Sequence, residues 1–290
     1  MRPLALGVAA LILLTGCSTP QNDGPLIVVT TNILGDVVSE IVGDEAEVMV
    51  LMRPNADPHS FEISAQEAAR IHSADLIISN GLGLEEGLAK HLDSADVPLL
   101  EAGEVVETLE YATNGTVDPH FWTDPARVRA LVPAIVDAID ETTGLDVSAN
   151  AAAYDAQLAD LDEWMTDSFA ALPQSSRRLV TNHHVFGYLA DRFDFEVVGA
   201  VIPGGSTLAA PSASDLRELV TAIDTTGVRT IFAESSQPDR LVQVLADEAD
   251  LDVAVVELYT ESLTEPGGDA ATYLAMMRVN TDRIAQGLSP

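Results

Sequence analysis

Cysteine occurs once in the 290 residues, at Cys17, and lysine once, at Lys90. A single cysteine excludes an intramolecular disulfide and any zinc site built on thiolates, so a metal would have to be held by imidazole and carboxylate. Basic side chains number 14 against 46 acidic ones, for a formal charge of −32. A field of that sign repels phosphate backbones and anionic headgroups and concentrates cations, so nucleic acid is excluded as an expected partner. The acids are spread along the whole chain. They read as a solvated surface suited to a saline environment rather than as a metal site. Nor is there an HExxH motif, a low-complexity tract or a short-period repeat.

The apolar run Leu4–Leu14 is short for a bilayer span, which takes about 20 residues. It follows Arg2 and leads into Leu14-Thr15-Gly16-Cys17, the pattern of a bacterial lipobox. Residues 1–16 are therefore expected to be a cleaved signal peptide, with Cys17 lipidated and residues 17–25 forming a tether. The protein is expected to lie outside the cytoplasm, anchored to the cell membrane through that lipid. With 47% hydrophobic residues the remaining chain can bury a large core, as one large or two medium domains.

From Leu26 onward short apolar runs alternate with helical patterns. Strands are expected at 26–31, 47–52, 75–80 and 98–101, with helices at 33–42, 64–72 and 83–92. The scheme repeats with strands at 178–181, 197–201, 230–234 and 252–258 and helices at 184–193, 212–226, 239–250 and 269–286. Continuous apolar strands separated by helices predict an α/β fold with parallel sheets covered on both faces. Between the halves, Tyr154, Leu158, Leu161, Met165, Phe169 and Leu172 recur at steps of three and four. That spacing predicts one long amphipathic helix over 148–172, stiff enough to join two lobes at 26–147 and 173–290.

Two of the six histidines stand in Asp-Pro-His triplets, at Asp57–His59 and Asp118–His120. Proline fixes its own φ and restricts the residue before it, so each triplet presents an imidazole from a stiff loop. The pair His183 and His184 follows the strand ending at Thr181, and Glu261 follows the strand ending at Leu258. Ligands in open α/β sheets bind beyond the carboxyl ends of the strands. A divalent ion bridging the lobes in the cleft would suit these places. A second helix, from Pro125 to about Thr142, follows His120.

The run Asp57-Pro-His59-Ser-Phe-Glu62, with Asn80-Gly-Leu-Gly-Leu-Glu85, Asp118-Pro-His120-Phe-Trp122, Thr181-Asn-His183-His-Val-Phe-Gly-Tyr188 and Phe232-Ala-Glu234-Ser-Ser, resembles the zinc- and manganese-binding solute-binding lipoproteins of bacterial ABC importers. The resemblance covers most of the chain and continues through Tyr273-Leu to Asn280. It implies two α/β lobes joined by a long backbone helix, a metal site in the interlobe cleft, and His59, His120 and His183 as ligands. His183 is chosen over His184 because the family's third histidine stands four residues before a glycine, here Gly187. The fourth ligand is usually an aspartate in Tyr-x-Asp-Ser-Leu; here Glu261 takes its place, one methylene longer. Tyr111–Val117 contains no histidine, so the histidine-rich loop of many zinc-specific relatives is not indicated.

The implied function is capture of Zn2+, with Mn2+ as the alternative cargo, and delivery to a membrane ABC permease by a monomer that is not an enzyme. Three imidazoles and a carboxylate suit zinc, while oxygen-rich spheres suit manganese better. Affinity is expected to fall below the free imidazole value of about pH 6.5. Glu234 is a candidate to orient a histidine through its free ring nitrogen. His184 reads as a helix-start residue, His72 and His91 as surface residues, and Trp122 and Phe186 as core side chains around the site. The other readings are a metal-dependent surface adhesin and a lipid-anchored metallohydrolase.

Overall fold

The computed structural model describes residues 24–289 except 112–114, 203, 237–241, 244–245 and 247–252. The signal peptide, Cys17, most of the tether, most of the helix at 239–250 and the first residue of the strand at 252–258 lie outside the described residues.

The first half folds as β1 (Leu26–Val29), α1 (Asn32–Val42), β2 (Glu47–Val50), α2 (Ala65–Ile71), β3 (Leu76–Ser79), α3 (Ala89–Asp93), β4 (Leu99–Glu101) and α4 (Ala102–Val105). Its four strands are parallel in the order β2-β1-β3-β4. After α5 (Pro125–Thr143) and α6 (Ser148–Ala170), the second half runs β5 (Arg178–Thr181), α7 (Gly187–Phe193), β6 (Glu196–Ala200), α8 (Ala213–Thr226), β7 (Thr230–Glu234), β8 (Ala254–Leu258) and α9 (Tyr273–Gly287). Its sheet, β6-β5-β7-β8, is also parallel. Both sheets thus have the same topology, two lobes of one plan.

Burial on both faces explains the unbroken apolar strands. Successive side chains of a strand point to opposite faces. Ile27 and Val29 accordingly join the core under α1, while Leu26 and Val28 join a cluster with Ile71 and Leu88 on the other face. The helix α6 buries Tyr154, Leu158, Leu161, Met165 and Phe169 and packs against α1, α5, α7 and α9. One apolar core runs through it from the first sheet to the second. At 1.5 Å per residue this rod is about 34 Å long.

Four helix limits differ from the sequence expectation by two residues or more. Of the helix expected at 83–92 only Ala89–Asp93 is helical. Gly81, Leu82 and Gly83 all have φ between 57° and 77°, and Glu85 is drawn inward to accept from Thr30 Oγ1 and the Asn80 and Gly81 N–H groups. Helix α7 starts three residues late because the His184 N–H goes to the Gly204 carbonyl and that of Val185 to His183. Helix α9 starts at Tyr273, where the Thr272 hydroxyl caps it. The long helix stops at Ala170, two residues short of Leu172.

Candidate metal centre

In each sheet the first strand lies between the second and the third, so the connections leave in opposite directions and a crevice opens at the carboxyl ends. The two crevices face each other. His59 comes from the loop after β2, His120 from the segment before α5, His183 from the end of β5 and Glu261 from the end of β8.

The two Asp-Pro-His triplets are built alike. The Asp57 carboxylate accepts the His59 N–H at 2.9 Å, and that of Asp118 accepts the His120 N–H at 2.9 Å. An aspartate that accepts from the backbone two residues on closes a local turn, so the aspartate as well as the proline sets each histidine. Asp118 also takes the ring: its Oδ1 lies 2.7 Å from His120 Nδ1. Across the cleft, Glu234 Oε2 lies 3.1 Å from His183 Nδ1. A carboxylate facing Nδ1 leaves Nε2 to point toward the centre.

The structure brings His59, His120, His183 and Glu261 together, with one ligand atom from each lying within 4.8 Å of the others. The Nε2 atoms of His59 and His120 are 3.4 Å apart. Glu261 Oε2 is 3.4 Å from His59 Nε2, and its Oε1 is 3.3 Å from His120 Nε2 and 3.2 Å from His183 Nε2. All four residues are at most 3% exposed. A zinc–nitrogen distance of about 2.0–2.1 Å corresponds to a tetrahedral edge of about 3.3–3.4 Å, which the His59–His120 Nε2 separation and the closest nitrogen–carboxylate separations match. His183 Nε2 and both Glu261 oxygens are buried without a hydrogen-bond partner among the described residues, a costly state for polar atoms unless they serve a ligand.

Charges reinforce the geometry. Burial alone would lower the imidazole pKa of His183, but Glu234 and Glu261 outweigh it and push it up to about 10. His59 is raised in the same way, by Glu261 against burial. For Glu261, burial raises and the three imidazoles lower, and the lowering prevails. The carboxylate stays ionised, and the raised His183 imidazole retains its proton until a cation displaces it.

His184 is not part of the cluster. It is half-buried, its pKa lowered by burial and by His183, and it lines a cavity of about 480 Å³ with Tyr111, Phe186 and Val197. Trp122 and Phe186 are buried. Trp122 meets the His120 ring edge-on at 5.2 Å and also donates Nε1–H to the Thr260 carbonyl at 2.8 Å. His72 is exposed at the end of α2, and His91 is half-buried in α3. Two contributors escaped the sequence reading. The Asp118 carboxylate was signalled by its place two residues before His120. Tyr111, whose hydroxyl is 3.0 Å from both Asp118 Oδ1 and His120 Nδ1, carries no local signal.

The model of the zinc-uptake complex component A periplasmic family matches residues 27–287. The chain belongs to that family. Among its relatives, the zinc-binding protein TroA of Treponema pallidum is 31% identical over 288 residues, 94% of this chain and 92% of that protein. Its solved structure superposes with a TM-score of 0.85 at 29% identity, over 92% of this chain and 100% of the other. The manganese-binding lipoprotein MntA of Halalkalibacterium halodurans is 28% identical, covering 95% of this chain and 92% of its own length. The metal ABC transporter substrate-binding lipoprotein FimA of Streptococcus parasanguinis is 29% identical, with 99% and 97% covered. The chain is accordingly a metal-binding, substrate-binding part of an ABC importer, with the two-lobe fold of its relatives.

Proposed function

We propose that the chain binds one divalent transition metal ion through His59 Nε2, His120 Nε2, His183 Nε2 and Glu261, and hands it to an ABC permease without chemical change. The observation that supports this reading is the buried cluster of three imidazole nitrogens and a carboxylate, with one ligand atom from each within 4.8 Å of the others. Zinc is the preferred cargo because nitrogen-rich, four-coordinate spheres suit it. Manganese is the second reading: both Glu261 oxygens face the histidines, which allows a higher coordination number, and the relative MntA is named for manganese. In this proposal residues 26–147 and 173–290 are the lobes, 148–172 links them, lipid on Cys17 anchors a monomer outside the cytoplasm, and the adhesin and hydrolase readings are not needed.

The test is metal content by mass spectrometry of the chain from Ser18, purified without added metal, beside His59→Ala and Glu261→Ala, followed by competitive titration with zinc and manganese. One equivalent of zinc, lost in His59→Ala, is the expected result. Manganese-dependent stabilisation with weak zinc retention moves the cargo to manganese, and no stoichiometric metal after titration overturns the proposal.

A further inference from the structure

Glu261 leaves the second sheet in sequence, but the chain around it is fastened to the first lobe. On one side of it the Thr260 carbonyl accepts from Trp122 Nε1 at 2.8 Å. On the other, Ser262 Oγ accepts from Asn32 Nδ2 at 2.8 Å, and the Leu263 N–H donates to Asn32 Oδ1 at 2.9 Å. The Leu263 carbonyl in turn accepts from the Asn55 N–H at 2.9 Å. The tie to the second lobe lies farther back, where Asn280 brackets Tyr259 at both its N–H and its carbonyl.

Asn32 is the central member of this set. It opens α1, is 7% exposed, and uses both ends of its amide on the Glu261 loop, with a further 3.2 Å contact from Nδ2 to the Arg53 carbonyl. A side-chain amide is a donor and an acceptor held in one plane, so the two bonds fix the Ser262–Leu263 backbone in direction as well as place. The histidine from this side of the cleft, His59, lies beyond Arg53 on the same stretch of chain. Beside His183, Asn182 and Thr181 bond to Ile202, Val201 and the His183 carbonyl within the second lobe, while the His184 carbonyl accepts from the Tyr111 hydroxyl of the first lobe at 3.3 Å.

We infer that Asn32 is a positioning residue that sets the Glu261 carboxylate in the frame of His59 and His120. The inference rests on the reading of Glu261 as a metal ligand given above. Through Glu261, Asn32 contributes to metal affinity although it touches no metal.

The test is a double-mutant cycle on the whole mature chain, with zinc affinity measured by chelator competition and the Co2+ d–d spectrum as a report on carboxylate coordination. Asn32→Ala is expected to lower zinc affinity about tenfold, the scale of losing buried hydrogen bonds, and to shift the Co2+ spectrum toward that of Glu261→Ala. In the Glu261→Ala background the same change should cost less than about twofold, and in His183→Ala it should keep its full effect. Equal losses in the Glu261 and Glu261→Ala backgrounds, or an unaltered affinity and spectrum in Asn32→Ala, would overturn the inference. Wild-type affinity in Glu261→Ala itself would overturn the ligand reading and this inference with it. If Asn32→Ala does not fold by circular dichroism, Ser262→Ala, which removes one of the two amide bonds, takes its place with a smaller loss and the same non-additivity.

Discussion

Zinc binding at neutral pH should release protons, and the structure sets how many. In the metal-free protein the His183 imidazole is pushed up to about 10, because Glu234 at Nδ1 and Glu261 at Nε2 outweigh burial. At pH 7 it is therefore protonated by about a thousand to one. Only a neutral imidazole ligates, so that proton must leave, and three pH units at 1.36 kcal/mol each mean a competition of about 4 kcal/mol. His59, raised above 6.5, supplies a fraction of a second proton. Titrating zinc into metal-free protein in weak buffer with a pH indicator should thus release at least about one proton per ion at pH 7. Apparent affinity should fall about tenfold per pH unit between pH 9 and 7. The bare imidazole value of about 6.5 places the weakening lower; the two carboxylates move it up. At pH 8.5 Glu234→Gln should release fewer protons than the wild type. Release of under about half a proton per zinc at pH 7 would refute the reasoning.

Asp36, on α1, accepts the Tyr273 N–H, yet burial, aided by Glu40, raises its pKa from 3.8 to about 6. The folded state then holds this proton more tightly than the unfolded one, so stability is lost as pH rises from 3.8 through 6 and stays lower above. Asp36→Asn should raise unfolding free energy by about 1 kcal/mol at pH 8 in urea titrations, after discounting for partial exposure, with the gain shrinking toward pH 4. A Cβ on Gly187 would sit 2.5 Å from Asp118 Oδ2, so Gly187→Ala should displace the carboxylate that orients His120 and weaken zinc binding severalfold in chelator competition. With a formal charge of −32, self-repulsion should be screened as the Debye length drops from about 10 Å at 0.1 M to about 3 Å at 1 M salt. The Tm should then rise by about 5 °C or more over that range, whereas a salt-independent Tm would count against a surface adapted to salt.

Much of the fold could be read from local pattern. Strands such as Leu26–Val29 appear as unbroken apolar runs because both faces of a parallel sheet are covered, and the spacing Tyr154, Leu158, Leu161, Met165, Phe169 marks the buried stripe of α6. The helix limits were less legible. A three-residue left-handed turn at Gly81–Gly83 and the pull on the His184 N–H depend on Glu85 and Gly204 finding partners elsewhere.

The sequence by itself determined which residue types are available for a metal and where stiff loops present them. One cysteine removes thiolate chemistry, and Asp-Pro-His closes its own turn within three residues, so its geometry needs nothing distant. The tertiary structure alone decided that Nε2 is the nitrogen each histidine presents, that Tyr111 stands behind His120, and that Glu261 is tied to the first lobe. Those outcomes rest on contacts between residues far apart in the chain, 230 positions in the case of Asn32 and Ser262. Charge and hydrogen bonding act over a few ångströms, so only the folded chain sets the separations on which they depend.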